Sequence, residues 1–248
     1  MNRYSIGSIL GILLLWELLV RWLEIPKFLL PAPSVILSYI IVKFKLLAMH
    51  TLVTLLEAGI GFIIGSLSAI LTAILFLWFQ PLKEMFYPYA VILNSTPIVA
   101  IAAPIVIIFG SGIGSKVITA IICVFFPVLG PTFKSLASVG ASELKWMDSY
   151  HSTRWQKFWY LQFPFALPQI FASFKVAWTL AVIGAVVGEV FGAYKGLGFL
   201  IVDAIYIMDT PRVFASIIAC SLLGLSLVGV ITFVEKRLIS WHISVERR

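Results

Sequence analysis

Six long apolar runs, at about 6–23, 51–79, 87–109, 115–134, 164–192 and 213–234, limit what this 248-residue chain can fold into. A helix needs roughly 20 apolar residues to cross the hydrocarbon core of a bilayer. The chain therefore reads as an all-α integral membrane protein, a single domain with six transmembrane helices. It is 61% hydrophobic and 12% charged, whereas soluble domains carry about 25% charged residues. No small-residue cleavage site follows the first run, and Glu17 and Arg21 stand at the spacing of a helix-supporting ion pair. That run is expected to be a retained span. Cys123 and Cys220 both sit inside apolar runs and read as small core residues, not as a disulfide or metal site.

The net charge of +7 is scattered, and no basic block suggests nucleic acid as a partner. Lys and Arg instead report orientation, because they are retained on the cytoplasmic side. With the N-terminus in the cytoplasm, Arg3, Lys83, Lys134, Lys145, Arg154, Lys157, Lys236, Arg237, Arg247 and Arg248 fall inside. Arg21, Lys27, Lys43, Lys45, Lys116, Lys195 and Arg212 fall outside. The larger group predicts that both termini are cytoplasmic.

Two segments are not spans. Pro31-Ala-Pro-Ser34 precedes an apolar stretch over 35–47, and Ser34 is a plausible N-cap for a short interfacial helix. The other is a polar, aromatic-rich island over 141–163 inside the loop 135–163. At about 100° per residue, Leu144, Met147, Trp155, Phe158 and Trp159 share one stripe. Asp148 and His151 interrupt that stripe, and Thr153-Arg-Trp-Gln156 has the form of a capping box. The island is expected to be helix, turn at about 149–152, then helix, with Pro164 and Pro168 bending the chain into the fifth span. One reading makes it a docking element for a cytoplasmic partner. The other makes it an aromatic belt at headgroup level.

Inside the spans, Glu57, Lys175 and Glu189 are ionisable and must pair, face a water-filled cavity or reach a surface. Asn94-Ser95-Thr96 before Pro97 is the stronger candidate for a translocation pathway, since a proline frees backbone groups that need polar company; the alternative is a kink satisfied by a neighbouring helix. Gly61-x3-Gly65 and Gly184-x3-Gly188-x3-Gly192 mark close helix contacts, within the chain or between two copies of it. Gly110-Ser-Gly-Ile-Gly-Ser-Lys116 superficially suggests a phosphate loop but lacks the Gly-Lys-Ser/Thr adjacency and a preceding strand. Gly196, Gly198, Asp203, Asp209 and Arg212 lie in an expected outer loop, either solvated or in contact with a partner. His50, His151 and His242 are too scattered to suggest a metal or an intramembrane active site.

The island resembles the cytoplasmic EAA loop of ABC importer permeases. Lys145-Trp146-Met147 stand where that family has Glu-Ala-Ala, and His151 replaces its Gly. After the family's nine-residue interval comes Leu161-Gln162-Phe163-Pro164. Trp16-Glu-Leu-Leu-Val20, Phe28-Leu-Leu-Pro-Ala-Pro-Ser34, Ser152-Thr-Arg-Trp-Gln156, Gly184-Ala-Val-Val-Gly-Glu189 and Gly196-Leu-Gly-Phe-Leu-Ile201 are similar to the nitrate/sulfonate/taurine/bicarbonate branch. The resemblance implies a type I ABC importer permease fold (MetI-like) in the inner or plasma membrane. It implies a second permease copy, two ATP-binding subunits and an extracytoplasmic substrate-binding protein as partners.

No cofactor or metal is implied on this chain, and ATP and Mg belong to the partners. Met147, Asp148, Ser149, Tyr150, His151, Ser152, Thr153, Arg154 and Trp155 become the expected ATPase-coupling residues. Asn94, Ser95, Thr96, Glu57 and Glu189 become the expected pathway residues. Asn94-Ser-Thr-Pro-Ile-Val-Ala100, Pro104 and Glu57 are similar to permeases for thiamine pyrimidine precursors or riboflavin. The expected cargo is thus a small anion or a vitamin precursor. A non-transporting scaffold and a secondary transporter are the competing classes; the latter would show inverted repeats.

Overall fold

The computed structural model describes residues 3–239, the side chains of residues 3–6 excepted. His242, Arg247 and Arg248 lie outside the described residues, as does the side chain of Arg3. The elements run α1 (Arg3–Trp22), α2 (Pro33–Val42), α3 (Phe44–Trp78), α4 (Gln80–Ser95), α5 (Ile98–Phe109) and α6 (Ile113–Ala137). They continue with α7 (Ala141–Ser149), α8 (Arg154–Lys157), a π turn (Phe158–Gln162), α9 (Phe163–Gly192), α10 (Leu197–Tyr206) and α11 (Thr210–Leu238). Among the described residues, four helical stretches are long and apolar enough to cross a membrane, namely α3, α6, the continuous rod from Arg154 to Gly192, and α11. A fifth arises if α4 and α5 count as one broken span.

That break corrects one expectation. The run over 87–109 is not a straight helix: α4 and α5 meet at 100°. Thr96 precedes Pro97, and a residue before proline is pushed out of the α region; Thr96 and Pro97 both take extended ψ near 127°. The second expected span also starts earlier than 51, because α3 already begins at Phe44, and the stretch over 35–47 divides between α2 and the first turn of α3.

Ser34 is not the N-cap of α2. Ala32 occupies that place, with Pro33 and Ser34 in the first turn. The orphan donors are met from another helix: Glu17 accepts from the Ser34 N–H at 3.0 Å and from its hydroxyl at 2.8 Å. The expected Glu17–Arg21 pair is present, with Arg21 Nε donating at 2.7 Å.

α6 is the centre of the bundle, pressed against α3 on one side and α9 on the other. Both glycine rows serve this contact within one chain. A Cβ on Gly61 would lie 2.4 Å from the Ala120 Cβ, and one on Gly184 would lie 2.8 Å from the Ala120 Cα. Ala120 is therefore clamped between two glycines of different helices. Thr119 donates to the Gly184 carbonyl at 2.9 Å across the same seam. Beside it Trp178 is buried, edge-on to Phe62, and donates its Nε1–H to the Leu223 carbonyl of α11 at 3.1 Å.

Pro164 and Pro168 do not break the fifth helix. The chain stays helical from Arg154 to Gly192, and the π turn ends at Gln162, two residues before Pro164. There the Phe163 N–H bonds to the Phe158 carbonyl, a register that leaves room for the proline ring.

A substitution series measures the clamp. Gly184→Ala meets backbone atoms and should destabilise the folded protein by about 1–3 kcal/mol, the usual cost of overpacking. Gly59→Ala, which meets nothing within 4 Å among the described residues, should be neutral or slightly stabilising, since alanine suits a helix interior better than glycine. Thermal denaturation in detergent checks both.

Candidate functional site

The island over 141–163 folds as helix, turn and helix. α7 ends at Ser149 with Tyr150 as its C-cap, and His151 takes a left-handed backbone with φ +53°. The His151 N–H donates to the Asp148 carbonyl at 2.9 Å and the Ser152 N–H to the Met147 carbonyl at 3.2 Å. These are the two bonds of a Schellman cap, whose left-handed position usually holds glycine. Histidine here occupies a backbone conformation that costs an L-residue roughly 1–2 kcal/mol.

The expected capping box then starts α8. Thr153 Oγ1 accepts from the Gln156 N–H at 3.3 Å, and Gln156 Oε1 accepts from the Thr153 N–H at 2.8 Å. An Asp148–Lys157 ion pair ties the two helices across the turn.

Of the nine expected coupling residues, Met147 and Ser152 are half-buried and the other seven are exposed. Trp155 is exposed on one side yet packs on Trp78 at the end of α3, with ring centroids 5.6 Å apart. Phe158 is buried beneath Trp78, Trp155, Trp159 and Phe163. The turn is thus bolted to the membrane bundle through aromatic rings. Sequence reasoning missed two of the parts. Trp146 and Tyr150 form an exposed edge-to-face pair at 5.3 Å, signalled only by their four-residue spacing. Trp78 lies too far away in sequence to be linked to the island. At the start of α7, the Ser142 hydroxyl bonds to Glu143 and holds its carboxyl below the usual range.

The expected pathway residues fall into two separate places. Asn94, Ser95 and Thr96 are exposed at the elbow between α4 and α5. The Ser95 and Thr96 hydroxyls bond back to the Val91 and Ile92 carbonyls at 2.9 and 3.0 Å, while Asn94 makes no side-chain bond among the described residues.

Glu57 and Glu189 instead meet inside the chain, both buried, at the seam of α3, α6 and α9. Glu189 accepts from Thr54 Oγ1 and from the Gly198 N–H, each at 2.6 Å. Glu57 Oε2 has no hydrogen-bond partner among the described residues. Lys116, expected outside, is buried beside them and donates to the Ser111 and Gly192 carbonyls at 2.8 and 2.7 Å. Its ammonium is spent on these carbonyls, which removes the phosphate-loop reading of 110–116.

The same network closes the segment after α9. The Gly196 N–H donates to His50 Nδ1 at 3.0 Å, and the Leu197 N–H to Thr54 Oγ1 at 2.9 Å. A side chain on Gly196, at φ +108°, would strike the Glu189 carboxylate. The expected outer loop contains α10, which carries Asp203. Arg212 bridges to Asp203 at 2.7 Å, and Asp209 caps α11. Lys175 pairs with Glu235 near the end of α11. Among the described residues no group of three metal-ligating side chains comes together.

A family model described as "binding-protein-dependent transport system inner membrane component" matches residues 61–240. The formylaminopyrimidine transport permease ThiX of Halalkalibacterium halodurans is 32% identical over 234 residues, covering 94% of this chain and 93% of its own. The riboflavin transport system permease RibX of Chloroflexus aurantiacus is 30% identical, over 96% of this chain and 89% of its own. In fold, the inward-facing MetNI methionine ABC transporter aligns with TM-score 0.61 at 15% identity, covering 79% of this chain and 94% of that one. An all-helical bundle of long apolar helices, a family match over most of its length and these permease relatives lead to one assignment: the chain belongs to the binding-protein-dependent transport system inner membrane components, the multi-pass, non-catalytic permease subunits of ABC importers.

Proposed function

We propose that this permease is one of two copies in an importer and takes its power stroke through the turn at 147–155. The observation that carries this reading is the mechanical continuity of the segment. The exposed turn is clamped by the Asp148–Lys157 pair and the Trp78–Trp155 contact. It then runs without a helical break into α9, which packs on the central helix α6. Closure of two ATP-bearing subunits around Trp146, Tyr150, His151 and Arg154 would push the Arg154–Gly192 rod along its length. That motion would shift α9 against α6 and reshape the space between the two permease copies. An aromatic belt has no need of a strained, charge-clamped turn. In this reading the turn and both termini are cytoplasmic, and ATP with Mg stays on the partner subunits.

For cargo, the reading favours a neutral heteroaromatic vitamin precursor of the pyrimidine or flavin kind over a nitrate- or sulfonate-like anion. The relatives named for formylaminopyrimidine and riboflavin support it, as does Glu57, a carboxylate at the bundle seam. The exposed elbow Asn94-Ser95-Thr96 offers amide and hydroxyl groups to such a ring and contributes no cation. A binding protein would deliver the cargo at the face opposite the turn.

Three measurements test this. In the full transporter reconstituted in liposomes, Tyr150→Asp with Arg154→Glu should lower uptake by at least tenfold, a loss of about 1.4 kcal/mol or more in coupling. Unchanged uptake with intact ATPase association would sink the assignment. His151→Gly should keep coupling and raise thermal stability, since glycine relieves the left-handed backbone, whereas His151→Val should lower both. Asn94→Leu should reduce uptake of formylaminopyrimidine severalfold while leaving basal ATP hydrolysis intact; an unaltered rate and substrate profile would make the elbow a mere kink.

A further inference from the structure

A basic cavity of about 870 Å³ opens between the start of α4, the end of α6 and the first turns of α9. Its walls carry Lys83 and Tyr87 from α4, Lys134 and Ser135 from α6, and Gln169 from α9. No carboxylate lines it among the described residues. The nearest in sequence, Glu84, is engaged with Gln80 at 3.1 Å.

Among the described residues neither lysine is in an ion pair. The Lys83 ammonium rests 4.9 Å from the centroid of the Phe133 ring, and Lys134 is exposed. Among the described residues the Tyr87 hydroxyl, the Ser135 hydroxyl and the Gln169 amide make no hydrogen bond. Two cations without a carboxylate partner and three uncommitted polar groups thus converge on one concavity, whereas Lys116, Lys175 and Arg212 are each matched within the chain. The cavity lies at the end of α6 that leads into α7. Basic pockets between membrane helices on the cytoplasmic side take anionic headgroups.

We infer that this cavity binds a phosphate group, with Lys83 and Lys134 as its charged clamp and Tyr87, Ser135 and Gln169 as neutral donors. The phosphate would come from an anionic phospholipid of the facing leaflet or from a phosphorylated solute. The site stands apart from the coupling turn and from the elbow, so it would tune the transporter and not carry cargo. Only its assignment to the cytoplasmic leaflet rests on the orientation proposed above.

Native mass spectrometry of the intact transporter tests it, with phosphatidylglycerol as the probe and phosphatidylcholine as the control. Lys83→Gln with Lys134→Gln should weaken phosphatidylglycerol binding about thirtyfold, at about 1 kcal/mol for each charge near a lipid surface. Phosphatidylcholine binding should not change. Lys83→Arg with Lys134→Arg keeps the charge and should bind as the native protein does, which separates loss of the site from loss of fold. Displacement of the lipid by millimolar inorganic phosphate would assign the site to a soluble phosphate compound; resistance to it would assign the site to lipid. Equal phosphatidylglycerol binding by native and Gln-substituted protein overturns the inference, as does binding to neither phosphatidylglycerol nor phosphate, the result expected if a second subunit fills the cavity. A side-specific cysteine label at position 134 reports the leaflet independently, so an error in orientation is not confused with absence of the site.

Discussion

The close approach of three helices at Ala120 is the contact on which the rest of this structure depends. Lipid tails are as apolar as leucine, so helices in a bilayer gain little by hiding apolar surface from one another. They associate where backbones come near enough for dense van der Waals contact and cross-helix hydrogen bonds. Gly61 and Gly184 allow that approach from opposite sides of α6, and Thr119 adds a bond to the Gly184 carbonyl. Broad apolar surface elsewhere on α1, α3, α5 and α11 remains exposed, as expected of helices whose solvent is lipid or a neighbouring subunit.

That tight seam makes room for a polar interior. Glu57, Glu189 and Lys116 come from three different helices and would each be costly alone in hydrocarbon. Glu189, Thr54, His50 and the backbone at 196–198 form one hydrogen-bonded network, which fixes the chain reversal between α9 and α10. The reversal in turn directs α10 and, through the Asp203–Arg212 bridge, the start of α11. The opposite end of α9 is held differently, by aromatic rings around Phe158 and by an ion pair across the turn. The rod is thus anchored in polar contacts at one end and in a ring cluster at the other.

The turn at His151 illustrates how local strain is managed. His151 keeps the left-handed conformation although its side chain disfavours it. The Schellman bonds, the Thr153–Gln156 box and the Asp148–Lys157 pair hold the backbone there from both sides. The exposed Trp146–Tyr150 pair is the most prominent apolar feature of α7.

Period and chemistry along the chain were sufficient for the helical class, the Glu17–Arg21 pair, the turn near 149–152 and the Thr153–Gln156 box, because each depends on residues within one or two turns of each other. The relation to importer permeases was also legible, through ordered motifs spread over nearly the whole chain. Tertiary structure alone decided the partners of isolated groups. Lys116 looked like a loop residue until two carbonyls from different segments closed around it, and Ser34 looked like a cap until Glu17 arrived from α1. The direction of the 100° elbow at Thr96-Pro97, the intramolecular use of both glycine rows and the meeting of Lys83 with Lys134 at one cavity were likewise hidden. The physical reason is common to all of them: local propensity sets what a segment becomes, whereas the energy of a buried charge or a close backbone contact depends on which distant segment lies against it.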